Sequence, residues 1–386
     1  MAHPLETFVR NNETWLHEAI DTLVSIESPT SDKAAVDRCG AEFRRIAAGI
    51  GMRVRVEPRS EAGDHSVVEI GEGRPRILLV GHVDTVWPHG QIARMPLVRK
   101  DGRLCGPGTL DMKVGVSMGL LATRAVFETA PPPSGTIAML VTSDEETGSD
   151  SSRGLIEAEA LASDAVLVLE PALAGGPLKT SRKGIGQYQL AVTGVSAHAG
   201  VDPGKGVSAI RELARQIIAV EALHDLDRGV SVNVGVVSGG TRPNVVAEEA
   251  VAIVDVRAPT LDDAARIDAA FRALRPVLPG ARLAVTGGFE RPPMERSAGV
   301  VALYEHAQAA AAELGQTIAE GGTGGGSDGN ITAALGVPTL DGLGGVGDGA
   351  HALHEHVLLD TLVPRTALLA ALIARLLSPA GTLPPR

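Results

Sequence analysis

The chain has 386 residues, 44% hydrophobic and 21% charged, a balance that fits a folded globular protein and excludes an intrinsically disordered one. A net charge of −11 argues against a nucleic-acid or anionic-membrane partner, and two cysteines, Cys39 and Cys105, are too few for a disulfide framework and lack metal-ligand spacing. No apolar run approaches 18 residues, and residues 1–6 lack the features of a secretion signal, so a cytoplasmic protein large enough for two domains is expected.

In chain order, residues 8–27 and 33–50 read as amphipathic helices, the second capped by Ser31 or Asp32. The apolar run at 77–80 leads into Gly81-His82-Val83-Asp84, a buried parallel strand whose polar residues appear only at its end. His82 and Asp84 sit two apart and project to the same side of an extended backbone. A glycine-rich loop at 106–110 then delivers Asp111 near the start of a small-residue helix at 114–129. Strands beginning at 136 and 165 also end in acids, Glu145 and Glu146 after the first and Glu170, before Pro171, after the second. Beyond a flexible stretch at 173–177 the rhythm changes to a strand at 186–192, a helix at 205–223, strands at 231–237 and 250–257, a helix at 261–274 and a strand at 281–287. This β-α-β-β-α-β order predicts a ferredoxin-like α+β domain inserted over 179–289, with two helices on one face of an antiparallel sheet. Segments 1–178 and 290–386 then form one discontinuous domain, completed by a helix at 298–314 and a strand at 338–340.

Ligands bind outside the carboxyl ends of strands in open α/β sheets, and here three strands aim their acids at one place. Taken singly, each residue has an ordinary structural explanation. Together, four acids at neighbouring strand ends would repel by several kcal/mol, on the order expected for uncompensated carboxylates, unless cations neutralise them. Imidazole and carboxylate without thiolate suit Zn²⁺, with Co²⁺ or Mn²⁺ as substitutes. One carboxylate shared between two ions would make a two-metal hydrolytic site, and one acid of the Glu145–Glu146 pair would remain as general base.

The segments Gly81-His82-Val83-Asp84-Thr85-Val86-Trp87-Pro88, Gly106-Pro107-Gly108-Thr109-Leu110-Asp111-Met112-Lys113, Asp144-Glu145-Glu146-Thr147-Gly148, Leu169-Glu170-Pro171, Ser196-Ala197-His198-Ala199-Gly200, Gly324-Gly325-Gly326-Ser327-Asp328 and Gly349-Ala350-His351 resemble the dinuclear zinc amidohydrolases of the M20 peptidase type. Within these they are most similar to the glutamate carboxypeptidase, carboxypeptidase G-like, branch. The resemblance implies a zinc-exopeptidase-like catalytic domain with a mixed sheet flanked by helices, and a smaller inserted domain for dimerisation. It implies that Asp111 bridges two zinc ions, that Glu146 and His351 complete one, and that His82 and Glu170 complete the other. Glu145 is then the general base and Asp84 the partner that orients His82. It further implies a cis peptide at Asp111-Met112. Two positions depart from the family pattern, Pro107 in place of Arg and Val114 in place of Gly, and neither holds a ligand. Of His351, His354 and His356, the first follows a glycine-rich loop as the family ligand does; the other two are expected on the surface at a helix start, and Glu355 resembles an acid downstream of the ligand.

By the same resemblance His198 and Asn244 act across a homodimer interface, His198 polarising the scissile carbonyl. A substrate carboxylate needs a cation, for which Arg291, Lys179 and Arg257 are candidates in that order, with Arg182 and Lys183 near the first domain junction. Gly325 and Gly326, with Ser327, could form an anion-binding concavity. The expected activity is zinc-dependent release of a C-terminal amino acid, glutamate by preference, from an N-acyl or peptidyl small-molecule substrate. The alternatives are an N-acyl-amino-acid deacylase of the acetylornithine deacetylase or succinyl-diaminopimelate desuccinylase type, a dipeptidase, or a metal-free binding module on the same fold.

Overall fold

The computed structural model describes residues 3–129 and 134–383. The chain divides into two compact units, one formed by 1–180, 296–323 and 327–386, the other by 181–295 and 324–326.

The first unit is built on a six-stranded sheet in the order Arg53–Glu57, His65–Glu72, Gly135–Thr142, Arg76–His82, Ala165–Val168, Thr339–Leu340. Its last four strands are parallel and its first two antiparallel, giving a mixed sheet. The parallel strands carry almost unbroken apolar runs because helices cover both faces. Ile77, Leu79, Ile137, Met139 and Val141 join one core with the helices Val114–Thr129 and Leu362–Leu376. Leu78, Val80, Ala138 and Leu140 alternate to the opposite face, against Ile156 and Ala160 of the helix Arg153–Leu161 and Ile331 of Asp328–Ala334. Truncating one such side chain, Leu79→Ala, would cost about 2–5 kcal/mol.

The second unit has the order expected from its pattern. Strands Gly184–Thr193, Ser231–Gly239, Glu249–Ala258 and Arg282–Arg291 form an antiparallel sheet in which the first strand lies between the third and the fourth. The helices Ala209–Glu221 and Leu261–Ala273 bury Leu213, Val220, Ile267 and Phe271 in one cluster with Tyr188, Leu190 and Val192, so both lie on one face.

Several local expectations are corrected. The helix expected over 8–27 is two helices, Pro4–Asn11 and Glu13–Val24. The chain breaks at Asn12, where the side chain and the backbone N–H both donate to the Phe8 carbonyl. Of the two expected caps, Ser31 and Asp32, it is Asp32 that caps Lys33–Gly49, accepting the Ala35 N–H. The helix expected from 205 begins at Ala209, capped by Ser208, because residues 203–205 form a separate short turn. Residues 173–177 close on themselves, the Leu173 N–H donating to the Pro177 carbonyl at 3.0 Å. His356 does not begin a helix: it is buried on the short strand His356–Leu358, paired with Arg103–Cys105, and His354 alone is exposed. Among the described residues no helix is long and apolar enough to cross a membrane.

Candidate functional site

His82, Asp111, Glu145, Glu146, Glu170 and His351 all belong to the first unit. His82 ends the strand Arg76–His82, and Glu145 and Glu146 follow Gly135–Thr142, its parallel neighbour. Glu170 follows Ala165–Val168, the neighbour on the other side. The three strands therefore deliver their acids and imidazole at one end of the sheet. Asp111 comes from the segment Thr109–Lys113, where φ and ψ of Asp111 and Met112 are not helical and the peptide bond between them is cis.

Both oxygens of Asp111 face imidazoles. Oδ1 lies 3.2 Å from His82 Nε2, and Oδ2 lies 3.2 Å from His351 Nε2. His82 Nε2 is also 3.6 Å from Glu170 Oε1, and His351 Nε2 is 3.1 Å from Glu146 Oε2. Ligand atoms of His82, Glu145 and Glu170, and of His82, Asp111 and Glu146, come within 4.8 Å of one another. One carboxylate thus stands between two imidazole–carboxylate pairs.

The donor chemistry fits divalent cations. His82 Nδ1 lies 3.0 Å from the Asp84 carbonyl, an acceptor, so Nδ1 carries a proton and Nε2 is the ring atom left to face the acids or a cation. Glu146 Oε1 is buried without a hydrogen-bond partner, an unsatisfied state that a cation would relieve. The charges are unbalanced in the same sense. Burial opposes a charged His82, yet Asp111, Asp84 and Glu170 outweigh it and hold the imidazole well above its usual range. Asp111 and Glu146 raise His351 to about 10. Burial raises Glu146, only partly offset by His351. The acids thus favour positive charge at both imidazoles.

Asp84 does more than the sequence suggests. Its carboxylate is 3.4 Å from His82 Nδ1, but it accepts the backbone N–H groups of Glu145 and Glu146 at 3.3 and 3.2 Å and the Thr30 hydroxyl at 2.7 Å. It fixes the turn that carries both glutamates. Thr30 escaped sequence reading because nothing local ties it to a residue 54 positions away. His351 adopts φ 61°, a left-handed conformation costly for a side chain with a Cβ.

The remaining candidates divide sharply. His198 and Asn244 lie in the second unit on adjoining loops, with the Ala199 N–H donating to the Asn244 carbonyl. His198 is exposed, and its Nδ1 accepts N–H groups of Gly200 and Val201, both at 3.1 Å. With Nδ1 as the acceptor, Nε2 is the nitrogen left to act as a donor. Arg257 is committed to Asp255, two residues along the same strand, with Nε and Nη2 each on one carboxylate oxygen; it is not a ready carboxylate clamp. Ser327 is also committed: it is buried, caps the helix Asp328–Ala334 and donates to Asp341 Oδ2 at 2.7 Å. Lys179 is buried on a strand whose backbone pairs with Asp341. Arg291 is buried in the second unit beside Gly326, and Arg182 donates to the carbonyls of Gly325 and Gly326.

The model of peptidase family M20/M25/M40 matches residues 78–375. Carboxypeptidase G2 of Pseudomonas sp. (strain RS-16) is 31% identical over 367 residues, 92% of this chain and 87% of that protein. An acetylornithine deacetylase of Klebsiella pneumoniae is 28% identical over 270 residues, 64% of this chain and 69% of its own length. Among solved structures, aminopeptidase PepT from Bacillus cereus has the same fold, with a TM-score of 0.77 and 24% identity, covering 94% of this chain and 98% of that one.

Proposed function

The chain belongs to peptidase family M20/M25/M40, a family of metal-dependent hydrolases, and from that premise we propose that it releases a C-terminal amino acid, preferably glutamate, from an N-acyl or peptidyl group. The observation that carries the reading is Asp111, whose two oxygens each stand 3.2 Å from a separate imidazole. We assign two zinc ions, with Co²⁺ or Mn²⁺ as substitutes: His82 and Glu170 would hold one, Glu146 and His351 the other, and Asp111 both. Bound there, the cations supply Lewis acidity toward the attacking water and the scissile carbonyl.

The protein's own groups do the rest. Glu145 takes the proton of the attacking water and returns it to the leaving amine. Asp84, on the backbone N–H groups of Glu145 and Glu146, keeps that base in place. His198 offers its Nε2–H to the carbonyl oxygen as negative charge develops, a role worth about 2.7–4 kcal/mol in comparable sites. Asn244, on the adjoining loop, binds substrate beside it, and Arg291 is the favoured partner for the substrate carboxylate, ahead of Lys179.

His198 and Asn244 are assigned to the partner subunit's site. In support of a homodimer, Ser231–Gly239 is an edge strand on which Val236 and Val237 are 59% and 56% exposed, and Ile218 of the adjacent helix is 73% exposed. An apolar sheet edge of this kind pairs readily with a second copy. The deacylase reading is kept alive by the resemblance to the Klebsiella pneumoniae acetylornithine deacetylase.

Metal analysis of the purified protein, followed by assay of acyl-glutamates, acetylornithine, succinyl-diaminopimelate and dipeptides, tests the assignment. Stoichiometric zinc and fastest turnover of an acyl-glutamate are expected, whereas preference for acetylornithine would favour the deacylase. Glu145→Gln should retain metal and lose about 10²–10⁴-fold in kcat; turnover at the wild-type rate would remove Glu145 from the mechanism.

A further inference from the structure

Glu355 is fully buried, and no cation lies among its hydrogen-bond partners. Its Oε1 accepts the backbone N–H groups of Leu110 at 2.8 Å and Asp111 at 3.2 Å. Its Oε2 accepts the Gly108 N–H at 3.1 Å and the Trp87 indole N–H at 2.8 Å. Each oxygen thus has two donors, and a glutamine amide in the same place would set an NH₂ against N–H groups.

These donors need Glu355 because of how the loop is built. The segment Thr109–Lys113 has Gly108 at its N-cap, so the N–H groups of Gly108, Leu110 and Asp111 have no acceptor one turn earlier within it, and buried unpaired donors are costly. The main chain of Glu355 grips a second loop. Its N–H donates to the Ala352 carbonyl at 2.9 Å, and the Ala352 N–H donates to the Gly349 carbonyl at 2.8 Å, closing the turn on which His351 sits. One residue therefore ties the loop of Asp111 to the loop of His351, whose functional atoms lie 3.2 Å apart.

We propose that Glu355 is a positioning residue that sets the register of Asp111 against His351, and thereby tunes cation binding between them; this rests on the metal reading above. A charge-assisted carboxylate is suited to the task because its hydrogen bonds are roughly twice as strong as neutral ones. Partners behind metal ligands typically govern about 10–100-fold in metal affinity.

The test uses the full chain. Zinc affinity is measured by competition with a chelating dye, and the coordination geometry is read from the absorption bands of the cobalt-loaded protein, for wild type, Glu355→Gln and Glu212→Gln. Glu212 is a comparable control in the second unit, a buried acid accepting the N–H groups of Val277 and Leu278. The expected result is a 10–100-fold loss of zinc affinity and an altered cobalt spectrum in Glu355→Gln, with both preserved in Glu212→Gln. Folded Glu355→Gln with wild-type affinity and spectrum overturns the proposal. Should that variant fail to fold, Trp87→Phe, which removes one donor to Oε2, carries the test: a smaller shift in the same direction supports the proposal, and none overturns it. Wild-type protein that binds no divalent ion would instead overturn the metal reading itself.

Discussion

At the scale of single residues, protons and cations compete for the same acids. Without cations, Asp111 and Glu146 raise His351 to about 10, against an ordinary value of 6.5. A group whose pKa is raised on folding stabilises fully below its unfolded value and loses that contribution as pH rises through the folded one. The metal-free protein should therefore lose the stability that His351 contributes between about pH 6.5 and 10, as that imidazole gives up its proton; His82, held above its usual range by the same acids, acts in the same sense. Metal-loaded protein should not follow this course, because the cations replace the protons, and its apparent affinity for zinc should rise with pH as fewer protons need displacing. Melting temperatures of chelator-stripped and zinc-loaded protein across that range check the expectation. A stripped protein whose stability climbs through the same interval would show that the imidazoles are not held by these acids.

At the scale of elements, the segment 342–346 decides whether Glu170 stands where the sheet needs it. The Gly344 N–H donates to the Glu170 carbonyl at 2.8 Å, and a Cβ at Gly344 would lie 2.2 Å from the Leu169 carbonyl oxygen. Only glycine permits that approach. From the other side, buried Arg365 donates to the carbonyls of Gly176, Gly342 and Gly344, and burial lowers its pKa to about 10. Gly344→Ala should cost about 1–3 kcal/mol and weaken metal binding at the Glu170 position, read by thermal unfolding and zinc titration; unchanged values would mean that the loop yields. Such dependencies explain what the sequence could convey. Each strand that ends in the clustered acids or imidazole was legible because an apolar run and its terminal polar residues are contiguous, and the helices and strands of the second unit followed from local periodicity. Arg257 could have been set aside from sequence, since Asp255 lies on the same strand face, and Ser327 reads as a helix cap before Asp328-Gly329-Asn330. His356 was misread because its partner strand, Arg103–Cys105, lies some 250 residues away, and the long-range grip of Glu355 on Asp111 leaves no local trace either.

At the scale of the molecule, the candidate metal ligands belong to one unit and His198 and Asn244 to the other, and the proposed assignment of His198 to a partner's site predicts complementation between inactive variants. Neither His198→Ala nor Glu145→Gln alone should turn over substrate at an appreciable rate. When the two are mixed and allowed to exchange subunits, each mixed dimer holds one site with both an intact Glu145 and an intact His198, contributed by different chains. Random exchange makes about half the dimers mixed, each with one working site of two, so about a quarter of wild-type activity should return. A His198 that served its own chain could never complete a site in this mixture, because every chain would lack one of the two groups. Adding Val237→Lys to both chains, a charge on the exposed apolar edge, should abolish recovery by blocking edge pairing, with a shift to monomer in size-exclusion chromatography. No recovery in the dimeric mixture would place His198 outside a shared site, and recovery in the Val237→Lys mixture would show that the shared site does not depend on pairing through this edge.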